Sequence, residues 1–228
     1  MKIRELHLWN LGYHEAVKVQ EALKERPIFK RLGRKVGLVA GADVSYARNN
    51  NRLYAAVVII TLPTLSLVEY KVAQDKVRFP YIPGLLSFRE APVLLKAFKK
   101  INATPDVVLF DGQGTAHPRG LGLASHMGLF LDIPAIGCAK TLLIGESGPV
   151  GKKAGSFAYL RNKGEVIGAV LRTKSGIKPV IISPGHRITL DESINIVLQC
   201  VGRYRLPEPI RRAHLLVNKV RLDDLGVS

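Results

Sequence analysis

The sequence predicts an α/β fold, a central mixed sheet flanked by helices, within one domain that spans residues 1–228. Two patterns predict it. Apolar runs joined by short connections, from about residue 36 to 77, indicate an antiparallel meander of three strands. From residue 85 onward, short and wholly apolar strands alternate with helices, which is typical of parallel strands buried on both faces. With 228 residues, 47% of them hydrophobic, the chain can bury a substantial core.

The first half of the chain begins with a helix and continues into the meander. Ala16 to Leu23 repeats apolar residues at helical spacing, and a strongly basic stretch follows from Lys24 to Lys35. Asn49-Asn50-Asn51 is a turn signal between the first two strands. The predicted strands are Val36–Tyr46, Leu53–Leu62 and Leu67–Val77.

The second half of the chain predicts strands and helices in alternation. In order, we predict a helix over Leu85–Ile101, a strand over Val107–Phe110, a helix over Leu121–Leu131, strands over Ala135–Cys138, Ser156–Leu160, Val166–Leu171 and Val180–Ile182, and helices from about Asp191 and Pro209. Ser183–Arg187 and Arg205–Pro209 are predicted as loops that hold basic groups. A meander that leads into parallel βα units is the order expected of a ribonuclease H-like fold, although a fold alone does not give a function.

The charge of the chain indicates its class of partner. Lys and Arg number 34 against 18 Asp and Glu, a formal net charge of +16, and such an excess attracts nucleic acid. We expect no membrane association, because the sequence contains neither a spanning apolar run nor a signal peptide. Cys138 and Cys200 are expected to be reduced core residues, which favours the cytoplasm. We expect the protein to act as a monomer.

Three carboxylates are candidates for a metal site. Asp43 interrupts an apolar strand, where a carboxylate is costly to bury unless it is paired or bound to a metal. Asp111 ends a buried strand, where open α/β sheets place their ligands. Glu90 lies early in a predicted helix. Each also has an ordinary interpretation: an exposed or capping Asp43, an Asp-Gly turn at Asp111, and a favourable helix-dipole position for Glu90. Together on adjacent elements they would suit Mg²⁺ and phosphodiester hydrolysis.

Basic and glycine-rich positions lie near these carboxylates in the predicted fold. The run from Asp111 to Gly120 is dense in glycine and polar residues, and its backbone can approach a ligand closely. Within it, His117 is a candidate proton carrier or phosphate contact. Lys140 follows a short strand and can place a charge on phosphate, or it is a solvated strand end. His214, on the last helix, is a core histidine, a phosphate contact or a neighbour of the metal site.

The segment Phe79-Pro80-Tyr81-Ile82-Pro83-Gly84 combines two prolines with an aromatic residue. The prolines stiffen a short tip that presents Tyr81 and Ile82. Rigid apolar tips of this kind unstack bases in nucleic-acid-binding proteins. The alternative is an ordinary connection between a strand and a helix, tucked into the core.

Together these segments resemble the endonuclease V family. The matching strings are Gly41–Tyr46, Phe79–Glu90, Asp111–Gly114 with His117-Pro118-Arg119, Gly122–His126, Gly137–Lys140, Ser183–His186, and Tyr204–Pro209 with Ala213-His214. They occur in order from about Trp9 to the last helix, and several are long and chemically unusual. The resemblance therefore covers nearly the whole chain.

The resemblance implies a ribonuclease H-like nuclease that requires Mg²⁺, with Mn²⁺ able to substitute. It would hydrolyse the second phosphodiester bond 3′ to a deaminated base such as inosine, in DNA or RNA, and leave 3′-hydroxyl and 5′-phosphate ends. The site residues that it implies are Asp43, Asp111 and Glu90 at the metal, Lys140 facing the scissile phosphate, His117 and His214 as phosphate or water contacts, Pro80, Tyr81, Ile82 and Pro83 as a strand-separating wedge, and Gly84, Leu86, Gly112 and Leu123 around the extruded base. Because some family members carry an acid where this chain has His214, a single Mg²⁺ is expected.

Two other readings of the sequence stay open. Another ribonuclease H-like nuclease, such as a junction resolvase, would share the carboxylates but would not need the rigid Tyr81 tip. A non-catalytic nucleic-acid-binding protein would use the positive charge alone, but it would gain nothing from three carboxylates beside phosphate.

Overall fold

The protein, described over residues 1–226 by a computed structural model, is built on one mixed sheet with five helices. The strands are β1 (Leu38–Ala47), β2 (Arg52–Thr61), β3 (Leu67–Lys76), β4 (Val107–Phe110), β5 (Ala135–Ala139), β6 (Glu146–Ser147), β7 (Phe157–Asn162), β8 (Glu165–Leu171) and β9 (Val180–His186). The helices are α1 (Tyr13–Leu23), α2 (Leu86–Lys99), α3 (Leu123–Leu131), α4 (Leu190–Gln199) and α5 (Glu208–Asp224).

The nine strands form a single sheet in the order β3-β2-β1-β4-β5-β9-β8-β7-β6. β1, β2 and β3 pair antiparallel, which confirms the predicted meander. β4 pairs parallel to β1, and β5 pairs parallel to β4, which confirms the parallel strands predicted from their apolar sequences. The remaining neighbours pair antiparallel, so the sheet is mixed, as predicted.

Helices cover both faces of the sheet. Successive residues of a strand point to opposite faces, and β1 shows this clearly. Val39 packs in a core with residues of α4 and α5, whereas Ala40 and Ala42 pack in a second core with residues of α2 and α3. Asp43 shares the parity of Val39, so its side chain belongs to the face covered by α5. The helix-flanked mixed sheet expected from the sequence is therefore confirmed.

The prediction of a loop at Ser183–Arg187 is wrong, because β9 continues to His186. Ser183 and His186 in this stretch are buried and bonded within the protein. Ser183 Oγ accepts a hydrogen bond from the Gly114 amide at 2.8 Å, and His186 Nδ1 accepts one from the Ile28 amide at 3.2 Å. Both partners lie far away in the sequence, so local composition gave no sign of them. The two-residue strand β6 was also not predicted.

Candidate active site

Asp43, Asp111 and His214 converge at one end of the sheet. One ligand atom from each lies within 4.8 Å of the others. The parallel register of β1 and β4 pairs Ala42 with Phe110, so the residue that follows each of them is a carboxylate at the same level. The sequence predicted that these carboxylates would meet if their strands were adjacent, and the structure pairs β1 with β4.

His214 reaches the cluster from α5. Its Nδ1 is 2.7 Å from Asp43 Oδ2, and its Nε2 is 3.2 Å from the amide nitrogen of Asn218 one turn later. Ser45 in turn donates to Asn218 at 2.9 Å. The helix can lie this close because β1 carries Gly41, where a Cβ would stand 2.1 Å from the Pro209 carbonyl carbon. A polar chain therefore orients His214 toward Asp43.

The electrostatics of this cluster favour a bound cation. Burial, together with the negative charge of Asp111, raises the pKa of the Asp43 carboxyl, and the hydrogen bond from His214 opposes that rise. Burial and the charges of Asp43 and Asp111 raise the pKa of Glu90 to about 8. Carboxylates that repel one another in a poorly solvated place are stabilised by a positive charge between them. Two close carboxylates are also the oxygen donors that Mg²⁺ and Mn²⁺ prefer.

Glu90 stands beside the cluster and not within it. Its pKa responds to both aspartates, so it shares their electrostatic environment, but its oxygens are absent from the group of atoms within 4.8 Å of one another. It lies in the second turn of α2, where Arg89 stacks 4.5 Å from the centre of the Tyr46 ring. Direct ligation by Glu90 stays a prediction.

Lys140 supplies the positive charge of the site. Its ammonium group forms an ion pair with Asp111, and the side chain is 39% exposed, so it can also reach an incoming phosphate. Arg205 fixes the backbone beneath it, because its guanidinium donates to the carbonyls of Lys140 at 3.2 Å and Pro179 at 2.7 Å. Arg205 belongs to the second loop predicted to hold basic groups.

A small cavity lies on the other side of the loop that follows β4. Of the residues predicted to hold a base, Gly84, Leu86 and Leu123 line it. Gly112 adjoins the cavity, since a Cβ there would lie 3.3 Å from the Leu123 side chain. The other lining residues are Gln20, Ser87, Gln113, His117, Leu121, Gly122 and Leu143.

The carbonyl of Gly84, at the cavity wall, accepts three hydrogen bonds. The donors are Gln20 Nε2 at 3.0 Å, His117 Nε2 at 2.9 Å and Arg119 Nη2 at 2.7 Å. His117 Nδ1 accepts from the Arg119 amide at 3.2 Å, so both its ring nitrogens are engaged and one neutral tautomer is selected. This placement favours a role for His117 in holding Gly84 over contact with phosphate.

Gly84 ends the rigid tip, in which Ile82 is half-buried against the core of Phe79 and Phe88, whereas the other three residues between Phe79 and Gly84 are exposed. Tyr81 is 67% exposed. Phe79, at the other end of the tip, is buried against Leu85 and Phe88, and its carbonyl accepts from Arg89 at 3.0 Å. Both ends are therefore anchored while the Tyr81 ring projects, and its role as a wedge stays a prediction.

Two polar residues of the site were missed by sequence reasoning. Gln20 is 1% exposed on α1 and also donates to the Leu121 carbonyl at 3.2 Å, so it joins the tip to the loop before α3. Its signal was a glutamine on the apolar face of a helix. Asn218 lies four residues after His214 on α5, a spacing that places both on one helical face.

The buried His117 predicts a pH effect on stability. Burial, and to a lesser extent the charge of Arg119, holds its pKa at about 4, against 6.5 for an exposed histidine. Between these two pH values the His117 side chain binds a proton in the unfolded chain but not in the folded one. The free energy of unfolding therefore falls by up to about 1.4 kcal/mol for each pH unit between pH 6.5 and pH 4. We expect His117→Gln to lose less unfolding free energy than the wild type between pH 7 and pH 4.5, by up to about 3 kcal/mol.

Urea unfolding at several pH values measures this difference. Gln20→Leu is the matched control, because it removes another donor to the Gly84 carbonyl but no titrating group. It should lower the unfolding free energy by a similar amount at every pH. A His117→Gln variant with the pH dependence of the wild type would show that His117 is not the group responsible.

The chain is similar to known proteins along nearly its whole length. The family model for endonuclease V matches residues 18–215. A protein named Endonuclease V from Dictyoglomus turgidum is 48% identical over 212 residues, which are 93% of this chain and 92% of that protein.

Solved structures give the same result. Endonuclease V from Streptomyces avermitilis superposes with a TM-score of 0.91 at 37% identity, over 99% of this chain and 100% of that one. A variant of Endonuclease V from Ciona intestinalis was solved in complex with a 23mer DNA containing an inosine followed by a ribo-adenosine. It superposes with a TM-score of 0.81 at 29% identity, over 93% of this chain and 97% of that one. The ribonuclease H-like fold expected from the sequence is thereby confirmed.

Proposed function

The chain belongs to the endonuclease V family and is an endonuclease, and we propose that it nicks nucleic acid at the second phosphodiester bond 3′ to a deaminated base. The base is inosine or deoxyinosine, the products carry 3′-hydroxyl and 5′-phosphate ends, and the reaction serves repair of DNA or processing of inosine-containing RNA. The observation that carries this proposal is the meeting of Asp43, Asp111 and His214 within 4.8 Å. A relative bound to inosine-containing DNA supports the substrate.

We propose that the cation is Mg²⁺ and that Mn²⁺ substitutes for it. Asp43 and Asp111 would hold this cation, which when bound activates water and stabilises the charge of the leaving oxygen. Glu90, beside the two aspartates, would be a third carboxylate ligand, because the cation would offset the negative charge that raises the pKa of Glu90. His214 keeps Asp43 in place through its 2.7 Å contact and contacts water or phosphate with its exposed face.

Lys140 acts on the scissile phosphate as a point charge. Before substrate arrives it neutralises Asp111, and its exposed ammonium group can turn to a phosphate oxygen without leaving the site. Arg205 holds the backbone of Lys140, so the charge stays aligned with the carboxylates.

Recognition of the base is separate from the chemistry. We propose that Pro80, Tyr81, Ile82 and Pro83 part the strands and that the extruded base enters the cavity lined by Gly84, Leu86 and Leu123, beside Gly112. The three hydrogen bonds to the Gly84 carbonyl connect the wall of this cavity to the end of the wedge, so the two move together.

We propose that the protein acts as a monomer in the cytoplasm. Cys138 and Cys200 are both free and buried, and burial raises the pKa of both thiols, which keeps them as unreactive core residues. Among the helices of residues 1–226, none combines the length and the apolar character needed to cross a membrane.

The decisive experiment maps the nick. End-labelled strands carrying one inosine, as DNA and as RNA, are incubated with Mg²⁺, with Mn²⁺ and with EDTA. We expect one cut, directly 3′ of the nucleotide that follows inosine, and no cut in EDTA or in the unmodified strand. Cleavage of a four-way junction without inosine would instead identify a resolvase, and binding without any cut would identify a non-catalytic protein.

The net charge of +16 predicts strong salt dependence of binding. Each phosphate neutralised by Lys or Arg releases counterions, so a protein with several phosphate contacts loses on the order of a thousandfold in affinity between 50 and 200 mM salt. We expect such a loss for an inosine strand, measured by fluorescence anisotropy in Ca²⁺. An affinity that is the same at both salt concentrations would mean that the charge, including the exposed run from Lys24 to Lys35, does not act on nucleic acid.

A further inference from the structure

Three exposed aromatic residues lie on the same face of the sheet as the metal cluster. Tyr204 is 50% exposed, Phe157 is 41% exposed and Tyr159 is 45% exposed. We propose that these three residues, the aromatic track, stack the bases of the substrate strand that continues beyond the scissile phosphate. This proposal rests on the proposed nuclease function and adds a binding surface outside the cavity, the wedge and the carboxylates.

The pairing of the strands places the aromatic track on the face of the metal cluster. Phe157 and Tyr159 pair directly with Leu171 and Ala169 of β8, and directly paired residues share a face. Leu171 and Ala169 belong to the core that includes Val39 of β1 and residues of α4 and α5. Asp43 has the same parity on β1 as Val39, so it belongs to that face too.

The directions of the strands place Phe157 at the end of the sheet that carries the metal cluster. β5 runs parallel to β4, and each step from β5 to β9, β8 and β7 is antiparallel. The first residue of β7 therefore lies at the edge where β4 and β5 end, beside Asp111 and Lys140. Three strand spacings separate β5 from β7, about 14 Å, which is on the order of two to four nucleotides of a strand.

Tyr204 lies on a loop whose contacts reach both α5 and the end of β8. Its ring centre is 4.6 Å from the guanidinium of Arg211, which precedes His214 by three residues on α5 and so shares its helical face. The neighbouring Arg205 carbonyl accepts from Thr173 Oγ1 at 2.7 Å, and the Arg172 amide donates to the Ser156 carbonyl at 2.8 Å. These bonds connect the Tyr204 loop, the end of β8 and the start of β7.

The surroundings of the aromatic track select nucleic acid as its occupant. The guanidiniums of Arg203 and Arg211 lie 5.9 Å and 4.6 Å from the centre of the Tyr204 ring, and the exposed Arg161 follows Tyr159 by two residues on β7. The nearby carboxylate of Glu208 is buried and already bonded to Arg211 and Arg212, so it does not oppose a phosphate. Exposed aromatic rings among arginines are the usual means of holding single strands, because every base has a face to stack.

Binding of strands of different length tests the aromatic track. A long inosine strand extends well beyond the cut, and a trimmed strand ends one nucleotide after it; both are also made without inosine. Affinity is measured by anisotropy in Ca²⁺ for wild type, F157A/Y159A and Tyr70→Ala. Tyr70 is the matched control, because it is 53% exposed on β3 at the opposite region of the sheet.

We expect F157A/Y159A to weaken binding of the long strand by at least about fivefold, the lower limit for one stacked base. Binding and nicking of the trimmed strand should equal those of the wild type, and Tyr70→Ala should bind both strands normally. The same loss is expected on the long strand without inosine, so the result does not depend on the proposed lesion. The proposal is overturned if F157A/Y159A weakens binding of the long strand no more than Tyr70→Ala does. It is also overturned if F157A/Y159A weakens binding of the trimmed strand as much as binding of the long strand.

Photocrosslinking gives a second measurement that needs no variant. 5-Iodouracil placed two to four nucleotides beyond the scissile phosphate should crosslink to the peptide that contains Phe157 and Tyr159. Crosslinks to β3 or to α2 from these positions would place the strand elsewhere and overturn the proposal.

Discussion

Asp43→Asn and Asp111→Asn are each expected to reduce nicking of an inosine strand at least about a thousandfold, a loss on the order of 4 kcal/mol in transition-state stabilisation. Asparagine keeps the shape of the side chain but removes the charge that a cation needs. Because burial and Asp111 raise the pKa of Asp43, the carboxylate is held at a cost, and removing it relieves repulsion. The free energy of unfolding of Asp43→Asn without metal should therefore stay the same or increase, whereas Asp111→Asn also loses the ion pair with Lys140.

Two measurements separate this result from misfolding. Single-turnover nicking reports the chemistry, and thermal unfolding with and without Mn²⁺ reports cation binding, which should stabilise the wild type and not the variants. Asp223→Asn, an exposed carboxylate near the end of α5, is the control and should behave as the wild type in both. If either site variant retained wild-type nicking, the carboxylate cluster would not be the catalytic centre.

Tyr81→Ala is expected to weaken capture of inosine in duplex DNA by roughly five- to 150-fold, the range of one base stacked on an aromatic ring. The ring is 67% exposed at the tip of a segment anchored at both ends, so its loss should not disturb the fold. The defect should be smaller on a single strand, since there are no paired strands to separate. Tyr81→Phe should be mild, because stacking needs the ring and not the hydroxyl.

Affinity in Ca²⁺ for duplex and single-stranded inosine substrates measures the effect. Tyr70→Ala, an exposed tyrosine on β3, controls for general loss of surface aromatic residues. The metal dependence of nicking should be unchanged in Tyr81→Ala, because the carboxylates are untouched. Equal affinity of Tyr81→Ala and wild type on both substrates would make Phe79–Gly84 a structural connection.

Much of the fold follows from local sequence. The wholly apolar run Val107–Phe110 could only be a strand buried on both faces, and the structure gives it those bounds. Because Asp43 interrupts an apolar strand, the sequence showed that its charge would be costly to bury. The position of Asp111 at the end of a strand followed from the order of strands and helices. The prolines around Tyr81 likewise predicted a stiff tip. These features depend on periodicity and chain stiffness over a few residues, which the sequence displays directly.

Other features were decided by the tertiary structure alone. His214 contacts Asp43 across 171 residues of sequence, and Gln20, His117 and Arg119 meet at one carbonyl of Gly84. β9 runs on through Ser183 because Gly114 supplies a partner for its hydroxyl. Phe157 and Tyr159 share a face with Asp43 only because the four strands between β1 and β7 pair in one continuous sheet. Such contacts depend on how strands pair and helices pack, and residues far apart in the chain carry no local pattern that records which of them will meet.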